Sequence, residues 1–274
     1  PCMAHDVTGE MRSAVENWLQ SLPEELRAQA VLSFDDQART TWTYLPGKRP
    51  GVTLGEMDAA QKEKAHAILK TALSQSGHLT AQDVISLEQV LRDMGGGAHR
   101  DPGRYYFTIF GKPAPEAVWG WRVEGHHLSI NITVHHDEVA SVNPSFFGAN
   151  PAEIPLGERT GYKTLKAEED LARKLVNSLP EALRAKAVIS EQAPGDILTR
   201  SQSEISPLEP AGVAFKDLPE AQQAMLLELI HLYIERYQDE IASANKAAIE
   251  AAGLDAIHFA WMGSTEPKQR HYYR

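Results

Sequence analysis

The sequence predicts an α+β fold made of two copies of one unit, and three observations support this prediction. The segment that begins at Ser21 recurs from Ser178, a shift of 157 residues. In each copy, apolar residues first recur at helical spacing and later alternate with the two-residue period of a strand. Helices followed by strands, twice, indicate an internally duplicated, pseudo-twofold fold, with the strands of both copies in a shared or packed sheet and the helices outside.

The duplication is visible at three places along the chain. The matched pieces are residues 21–24 with 178–181, residues 51–52 with 212–213, and Gly111–Arg122 with Gly263–Arg274. A single short match would be weak, but three matches in the same order indicate a repeat. We therefore place the first repeat at residues 1–157 and the second, which is C-terminally incomplete, at residues 158–274. Together they are predicted to form one compact unit.

Each copy opens with a helical hairpin and continues with further helices. Pro23 and Pro180 open the second helix of each hairpin at its first turn, where the missing N–H of proline costs nothing. In the first copy, Thr80 is predicted to cap a helix that ends before the glycines at 95–97. In the second copy, residues 219–252 predict one nearly continuous helix.

The composition excludes several classes of function. A net charge of −10 argues against nucleic-acid binding, which needs a basic surface, and against attachment to anionic lipid. No apolar run reaches the roughly 20 residues that span a bilayer. The single cysteine, Cys2, leaves no pair for a disulfide or for thiol redox chemistry. The chain opens without an initiator methionine, which predicts a processed N-terminus and slightly favours export over a cytoplasmic location.

The candidate site lies in residues 119–134, which alternate like one strand. In that interpretation Arg122, Glu124 and His126 share one face, which continues into an apolar wall. Glu124 and His126 are spaced to bind one divalent metal ion, zinc or another transition metal. Glu124 is alternatively a general base, and Arg122 is predicted to hold a substrate carboxylate. His127 points to the other face as a further catalytic candidate.

Two histidines of the second copy, His258 and His271, are the candidates for a third metal ligand, at the boundary between the copies. The competing interpretation is that the strand histidines only satisfy buried polar groups. Trp121 is predicted to be a core residue, with a sugar-stacking platform as the alternative. The glycine-rich phosphate loops, the His-Glu-x-x-His zinc motif and the nucleophile elbow are all absent from the sequence.

Three segments together resemble one protein family. They are residues 119–131 with the Gly-His-His motif, residues 143–151, and residues 259–274. The chain is similar over essentially its whole length to the bacterial domain-of-unknown-function family 3500. The resemblance implies no reaction. It implies a chain that continues past the Tyr-Tyr-Arg at residues 272–274 with an Asn-His-x-His motif.

Two hypotheses about function follow from the sequence. The first is a metal-assisted hydrolase or lyase that acts on a small or carbohydrate-like substrate, built on residues 122–127. The second is a non-catalytic ligand-binding or structural protein. The sequence slightly favours the enzyme, because the polar groups cluster in the first copy where the aligned strand of the second copy stops.

Overall fold

The structure is a computed structural model that describes residues 6–206 and 208–274. It confirms the predicted α+β fold class. Cys2 lies outside the described residues. The chain divides into two compact units. The first runs to Thr164 and includes Arg236–Ile241, and the second comprises Leu165–Glu235 and Ala242–Arg274.

Four described α-helices belong to the first unit. They are α1 (Val7–Ser21), α2 (Glu24–Ala30), α3 (Ala59–Ala72) and α4 (Gln75–Leu91). At the start of α1, the Asp6 carboxylate accepts a hydrogen bond of 2.8 Å from the Gly9 N–H. At the start of α4, the Ser74 hydroxyl accepts one of 3.1 Å from the Gly77 N–H. These caps satisfy N–H groups that have no partner within the helix.

The predicted helix start at Thr80 is wrong. Thr80 lies inside α4, where its hydroxyl donates to the carbonyl oxygen of Ser76 at 2.9 Å. The helix begins earlier because Ser74 supplies the cap. The glycine-rich turn after α4 agrees with the prediction, since Gly95 takes a φ of 92°, which glycine adopts without steric cost.

A seven-stranded sheet forms the rest of the first unit. Its strands are β1 (Val31–Leu32), β2 (Val52–Thr53), β3 (Tyr106–Phe110), β4 (Val118–Gly125), β5 (Leu128–His135), β6 (Glu138–Ser141) and β7 (Ser145–Phe147). The order is β1-β3-β4-β5-β6, with β2 also paired to β3 and β7 to β5. β1 runs parallel to β3, and the β3-β4-β5 centre is antiparallel.

The prediction of one strand over residues 119–134 is wrong, because the segment folds into the β4–β5 hairpin. Gly125 pairs with Leu128, so His126 and His127 form a two-residue turn. His127 has a φ of 58°, and Gly125 has no side chain where a Cβ would lie 2.2 Å from the Tyr105 ring. A turn with positive φ and a close ring contact are the reasons the strand reverses here.

The hairpin also corrects the predicted faces of the strand. Arg122 lies opposite Asn131, and Glu124 lies opposite Ser129. Residues that face each other across antiparallel strands project from the same side of the sheet. One side is therefore polar, and the apolar residues of β5 belong to the opposite side. The wall predicted to adjoin Arg122, Glu124 and His126 is on the other side of the sheet.

The apolar side of this sheet carries the core of the first unit. Trp119 and Trp121 of β4 are 0% and 1% exposed. Trp18 of α1 packs against Phe107 of β3 with ring centroids 5.9 Å apart, so α1 covers this side. The predicted burial of Trp121 is confirmed, and the sugar-stacking alternative is wrong because the indole faces no solvent.

Four described α-helices and five described strands lie in the second unit. The first residues of its last helix belong to the first unit. The helices are α5 (Lys166–Ser178), α6 (Glu181–Ala187), α7 (Glu220–Ile234) and α8 (Asp239–Ala252). The strands are β8 (Val188–Ser190), β9 (Val213–Ala214), β10 (His258–Phe259), β11 (Trp261–Gly263) and β12 (His271–Tyr273). Leu175 and Val176 of α5 pack with Phe259 and Trp261 in its core.

The second unit repeats the pairing directions of the first. β8 runs parallel to β11, and β12 runs antiparallel to β11, as β1, β3 and β4 do in the first unit. Each described sheet takes its strands from one unit only. Of the two predicted arrangements, a single sheet shared by both copies is therefore wrong. The duplication stays a prediction. The matching directions of strand pairing in the two units are what a duplication would produce.

The predicted continuous helix over residues 219–252 is wrong, because the chain leaves the helix between α7 and α8. The Ser74 N–H donates to the carbonyl oxygen of Arg236 at 2.9 Å, and the Gln238 N–H donates to that of Ala72 at 2.8 Å. A Cβ on Gly77 would lie 2.0 Å from the Arg236 oxygen. These backbone groups bind the α3–α4 connection, so they are not available to continue a helix.

Two histidines meet where α3 packs beside α4. The His66 and His78 rings are 5.7 Å apart and perpendicular, and His78 is 8% exposed. Among the described residues, His66 Nδ1 and His78 Nε2 have no hydrogen-bond partner. Burial, followed by the charges of His66 and Lys70, lowers the pKa of His78 to about 4. His78 is therefore neutral at pH 7.

Within the described chain, no helix has the length and apolar character needed to cross a bilayer.

We expect His78 to make the first unit less stable in acid. An unfolded histidine takes up a proton near pH 6.5, whereas folded His78 does so only near pH 4. Because the unfolded state binds more protons between these values, stability falls as pH falls through this window. The drop in Tm between pH 7 and pH 4.5 should be smaller in His78→Gln than in the wild type. The matched control, His135→Gln at an exposed strand end, should keep the wild-type drop.

We expect Trp121→Ala to lower the free energy of unfolding by about 3–5 kcal/mol, because it leaves a large cavity in the core. Urea denaturation followed by circular dichroism measures the loss. Val118→Ala on the same strand is the control: its side chain is 37% exposed, and its cost should stay below about 1 kcal/mol. Equal losses in the two variants would contradict the assignment of Trp121 to the core.

Candidate functional site

The turn at the tip of the β4–β5 hairpin is held by backbone contacts on both of its residues. The Tyr105 hydroxyl donates to the carbonyl oxygen of His126 at 2.8 Å. The His127 N–H donates to the carbonyl oxygen of Tyr44 at 2.9 Å, and the Gly148 N–H donates to that of His127 at 2.8 Å. Burial raises the pKa of Tyr105 far above its usual value, so its hydroxyl keeps its proton. These contacts therefore hold the backbone from which the His126 side chain projects.

The His126 side chain meets a carboxylate from α4. His126 Nδ1 is in direct hydrogen-bond contact with Glu88 Oε1, and the two residues are 9% and 4% exposed. The Arg100 guanidinium completes the group: its Nη1 lies 3.1 Å from Nδ1 and 3.3 Å from Nε2 of His126. The same Nη1 lies 3.7 Å from Glu88 Oε1. A carboxylate, an imidazole and a guanidinium are thus gathered at the hairpin tip.

A second buried charge cluster lies on the polar side of the sheet, around Glu124. Glu124 Oε2 lies 3.2 Å from Arg49 Nε and 3.6 Å from Arg122 Nε. Glu124 Oε1 accepts hydrogen bonds from the Thr43 N–H at 2.8 Å and from the Ser129 hydroxyl at 3.1 Å. All three ionic side chains are 3% exposed or less. Burial lowers the pKa of both arginines, and the charge of Glu124 opposes that shift.

The two arginines of this cluster tie the loop at residues 41–49 to the hairpin. Arg122 Nη1 donates to the carbonyl oxygen of Thr41 at 2.9 Å. Arg49 Nη2 donates to the carbonyl oxygens of Thr43 at 3.0 Å and Gly125 at 3.2 Å, and it also contacts that of Leu45. Arg122 and Glu124 are therefore occupied by protein partners. The substrate-anchor and base roles predicted for them stay predictions.

The structure gives Glu124 and His126 different partners, although both were predicted to bind one metal ion. His127 packs its ring beside His126, with centroids 4.1 Å apart, and beside Tyr44. Among the described residues, no group of three or more His, Cys, Asp or Glu side chains is gathered in a way that could hold a metal ion. The divalent metal stays a prediction.

The two predicted ligands from the second copy have local partners of their own. His258 Nδ1 lies 3.0 Å from the carbonyl oxygen of Ala256. His271 Nδ1 lies 3.0 Å from Arg173 Nη2, and the His271 ring stacks on Trp261 with centroids 5.1 Å apart. Both histidines belong to the second unit. Their roles as metal ligands likewise stay predictions.

Sequence reasoning missed Glu88 and Arg100. One signal for Glu88 was present: it falls on the apolar stripe of α4, three or four residues after the buried Val84 and Ile85. An acidic residue at a buried helical position requires a partner. No local signal identified that partner as His126, which lies 38 residues away. Arg100 lies three residues after Gly97, and the sequence indicates only a helix stop at this glycine-rich segment.

The hairpin tip opens toward the surface through a narrow crevice. Its lining includes Glu88, His126 and Tyr105, together with the exposed His99 and Arg104. A wider cleft of about 460 Å³ lies beside it and shares Arg49, Asp101 and Arg104 with the crevice. Clefts lined by a few convergent polar groups are the usual places for small ligands. The Glu88–His126 pair therefore lies beside a space that can take a small molecule.

A family model described as Protein of unknown function (DUF3500) matches residues 4–274. The chain belongs to the DUF3500 family. The resemblance inferred from the Gly-His-His motif is thereby confirmed at the level of the family. No curated protein and no solved structure matches the chain. Membership in DUF3500 supplies no reaction, so function must be argued from the geometry of the site.

We expect Glu124→Gln to lower the free energy of unfolding by about 3–5 kcal/mol. The substitution keeps the shape of the side chain but leaves the buried Arg49 and Arg122 without their counter-charge. Urea denaturation measures the change. Glu138→Gln on the exposed edge strand β6 is the matched control and should lie within about 0.5 kcal/mol of the wild type. A Glu124→Gln variant as stable as this control would show that the cluster does not hold the fold.

Proposed function

We propose that this chain is a hydrolase or lyase that acts on a small, carbohydrate-like substrate, with His126 as the group that transfers a proton. The observation that carries the proposal is the direct contact between Glu88 and His126 Nδ1 in a narrow crevice that shares Arg49, Asp101 and Arg104 with the wider cleft. Proton transfer by a positioned histidine is the commonest form of general acid–base catalysis.

The contact with Glu88 selects one state of the His126 ring. A carboxylate that accepts a hydrogen bond from Nδ1–H fixes this tautomer, so Nε2 carries the free electron pair. The same carboxylate stabilises the imidazolium that forms when Nε2 takes a proton. Because Tyr105 holds the backbone of His126, the ring has a fixed direction. These features suit a general base more than a residue that only fills space.

Arg100 gives the site a second chemical capability. Its guanidinium lies 3.3 Å from His126 Nε2, and its side chain is 19% exposed. An anionic or developing negative group on a substrate would attract this guanidinium away from the ring and leave Nε2 accessible. Arg100 would then stabilise the negative charge that builds up on the substrate when His126 removes a proton in an elimination, which favours the lyase form of the proposal.

Metal assistance, predicted from the sequence with His126 as a ligand, is compatible with the same crevice. Glu88 and His126 offer one carboxylate and one imidazole, both of which are ligands of zinc. The non-catalytic alternative keeps the same contacts but assigns them to stability. It predicts that substitutions of Glu88 or His126 lower the stability of the fold and abolish no catalytic activity.

The test is an activity screen of the full chain, purified untagged and without chelator, with metal content measured on the same sample. The panel contains neutral and acidic oligosaccharides, assayed for hydrolysis and for unsaturated elimination products. We expect His126→Gln and Glu88→Gln to lower kcat by about 100-fold or more, as for loss of a general base. The control, His135→Gln, should keep wild-type kcat. Equal kcat in His126→Gln and the control would contradict the proposal, and a stoichiometric metal would favour its metal-assisted form.

A further inference from the structure

The wide cleft beside the His126 crevice carries two cations whose side chains have no partner among the described residues. The side chains of Lys48 and Arg104 line its walls, and neither makes a hydrogen bond or an ion pair with another described residue. The third cation of the cleft, Arg49, is different, because it is committed to Glu124 and to backbone carbonyls. Two positive charges are therefore available to a ligand.

Two carboxylates line the same cleft, and both already have protein donors. Glu56 accepts hydrogen bonds from the Thr53 N–H at 2.8 Å and the Thr53 hydroxyl at 2.7 Å. Asp101 accepts one of 2.7 Å from the Gly103 N–H. Burial raises the pKa of Glu56, but the hydrogen bonds from Thr53 and Gln29 outweigh burial, so the pKa is below its usual value. Glu56 therefore keeps its negative charge at neutral pH.

This mixture of charges discriminates between classes of ligand. Arg104 and Lys48 can bind a carboxylate, since a guanidinium matches the two oxygens of that group. Glu56 and Asp101 still have acceptor capacity for hydroxyl groups, and the negative charge of Glu56 repels a dianion such as phosphate. Tyr106 also lines the cleft, and an aromatic side chain is suited to contact a sugar ring. A hydroxyl-rich molecule with one carboxylate satisfies all of these groups.

We infer that the cleft binds a uronic acid, a sugar that bears one carboxylate, with Arg104 and Lys48 as the residues that recognise the carboxylate. The inference rests on the proposed function, because it names the substrate class of the same site. Arg104 lines both the cleft and the crevice, so one residue connects the proposed binding site with the proposed catalytic site. A sugar whose carboxylate is held by Arg104 is therefore bound at the wall of the crevice that His126 also lines.

The experiment is a calorimetric titration of the full chain with D-galacturonate, D-galactose and inorganic phosphate. We expect galacturonate to bind at least tenfold more tightly than either of the other two. Arg104→Gln and Lys48→Gln should each weaken galacturonate binding by about tenfold, because each removes one charge-assisted contact. Both residues are exposed, so these variants should keep the wild-type circular dichroism spectrum. Lys62→Gln, at an exposed position of α3, is the control and should bind galacturonate like the wild type.

Three outcomes would overturn the inference. They are galactose binding as tightly as galacturonate, phosphate binding as tightly as galacturonate, and unchanged affinity in both Arg104→Gln and Lys48→Gln. Failure of the proposed function looks different. In that case galacturonate binds selectively and depends on Arg104, but no acidic oligosaccharide is turned over by the wild type. His126→Gln should retain galacturonate binding within about threefold while losing turnover, which separates recognition from proton transfer.

Discussion

The buried carboxylate of Glu124 organises the polar side of the sheet in the first unit. It is 1% exposed, and an isolated charge at such a depth is costly unless it is paired and hydrogen-bonded. Its contacts come from three stretches of chain: Arg122 on β4, Ser129 on β5, and the loop that carries Thr43 and Arg49. The ion pairs and hydrogen bonds of this one carboxylate therefore hold the β4–β5 hairpin and the loop together.

The candidate site depends on that arrangement, although Glu124 is not in the crevice. Arg49, held by Glu124, binds the carbonyl oxygens of the loop and of Gly125, directly before the histidine turn. The same loop supplies the Tyr44 carbonyl oxygen that receives the His127 N–H, and it carries Lys48 into the cleft. The buried Glu124 and Arg49 thus have a structural role: they position the turn that carries His126 and the loop that carries Lys48.

The two charge clusters differ in what they allow a ligand to do. Around Glu124, every ionic side chain is buried, and protein partners surround it. Around His126, the Arg100 side chain is 19% exposed, and a crevice reaches the Glu88–His126 pair. A group that must meet a substrate needs such access, whereas a group that stabilises a fold does not. For this reason the proposed function assigns proton transfer to His126 and a structural role to Glu124.

The sequence by itself determined the α+β class, the family and the burial of Trp121, because these follow from local periodicity and from a distinctive motif. It could not determine that residues 119–134 form a hairpin. A two-residue turn preserves the alternation of apolar and polar residues along the chain but exchanges the faces to which they belong. Only the register, Gly125 opposite Leu128, decided which side chains share a face. The partners Glu88, Arg49 and Arg100 were likewise decided by tertiary structure, because ionic pairing over tens of residues leaves no periodic trace in a sequence.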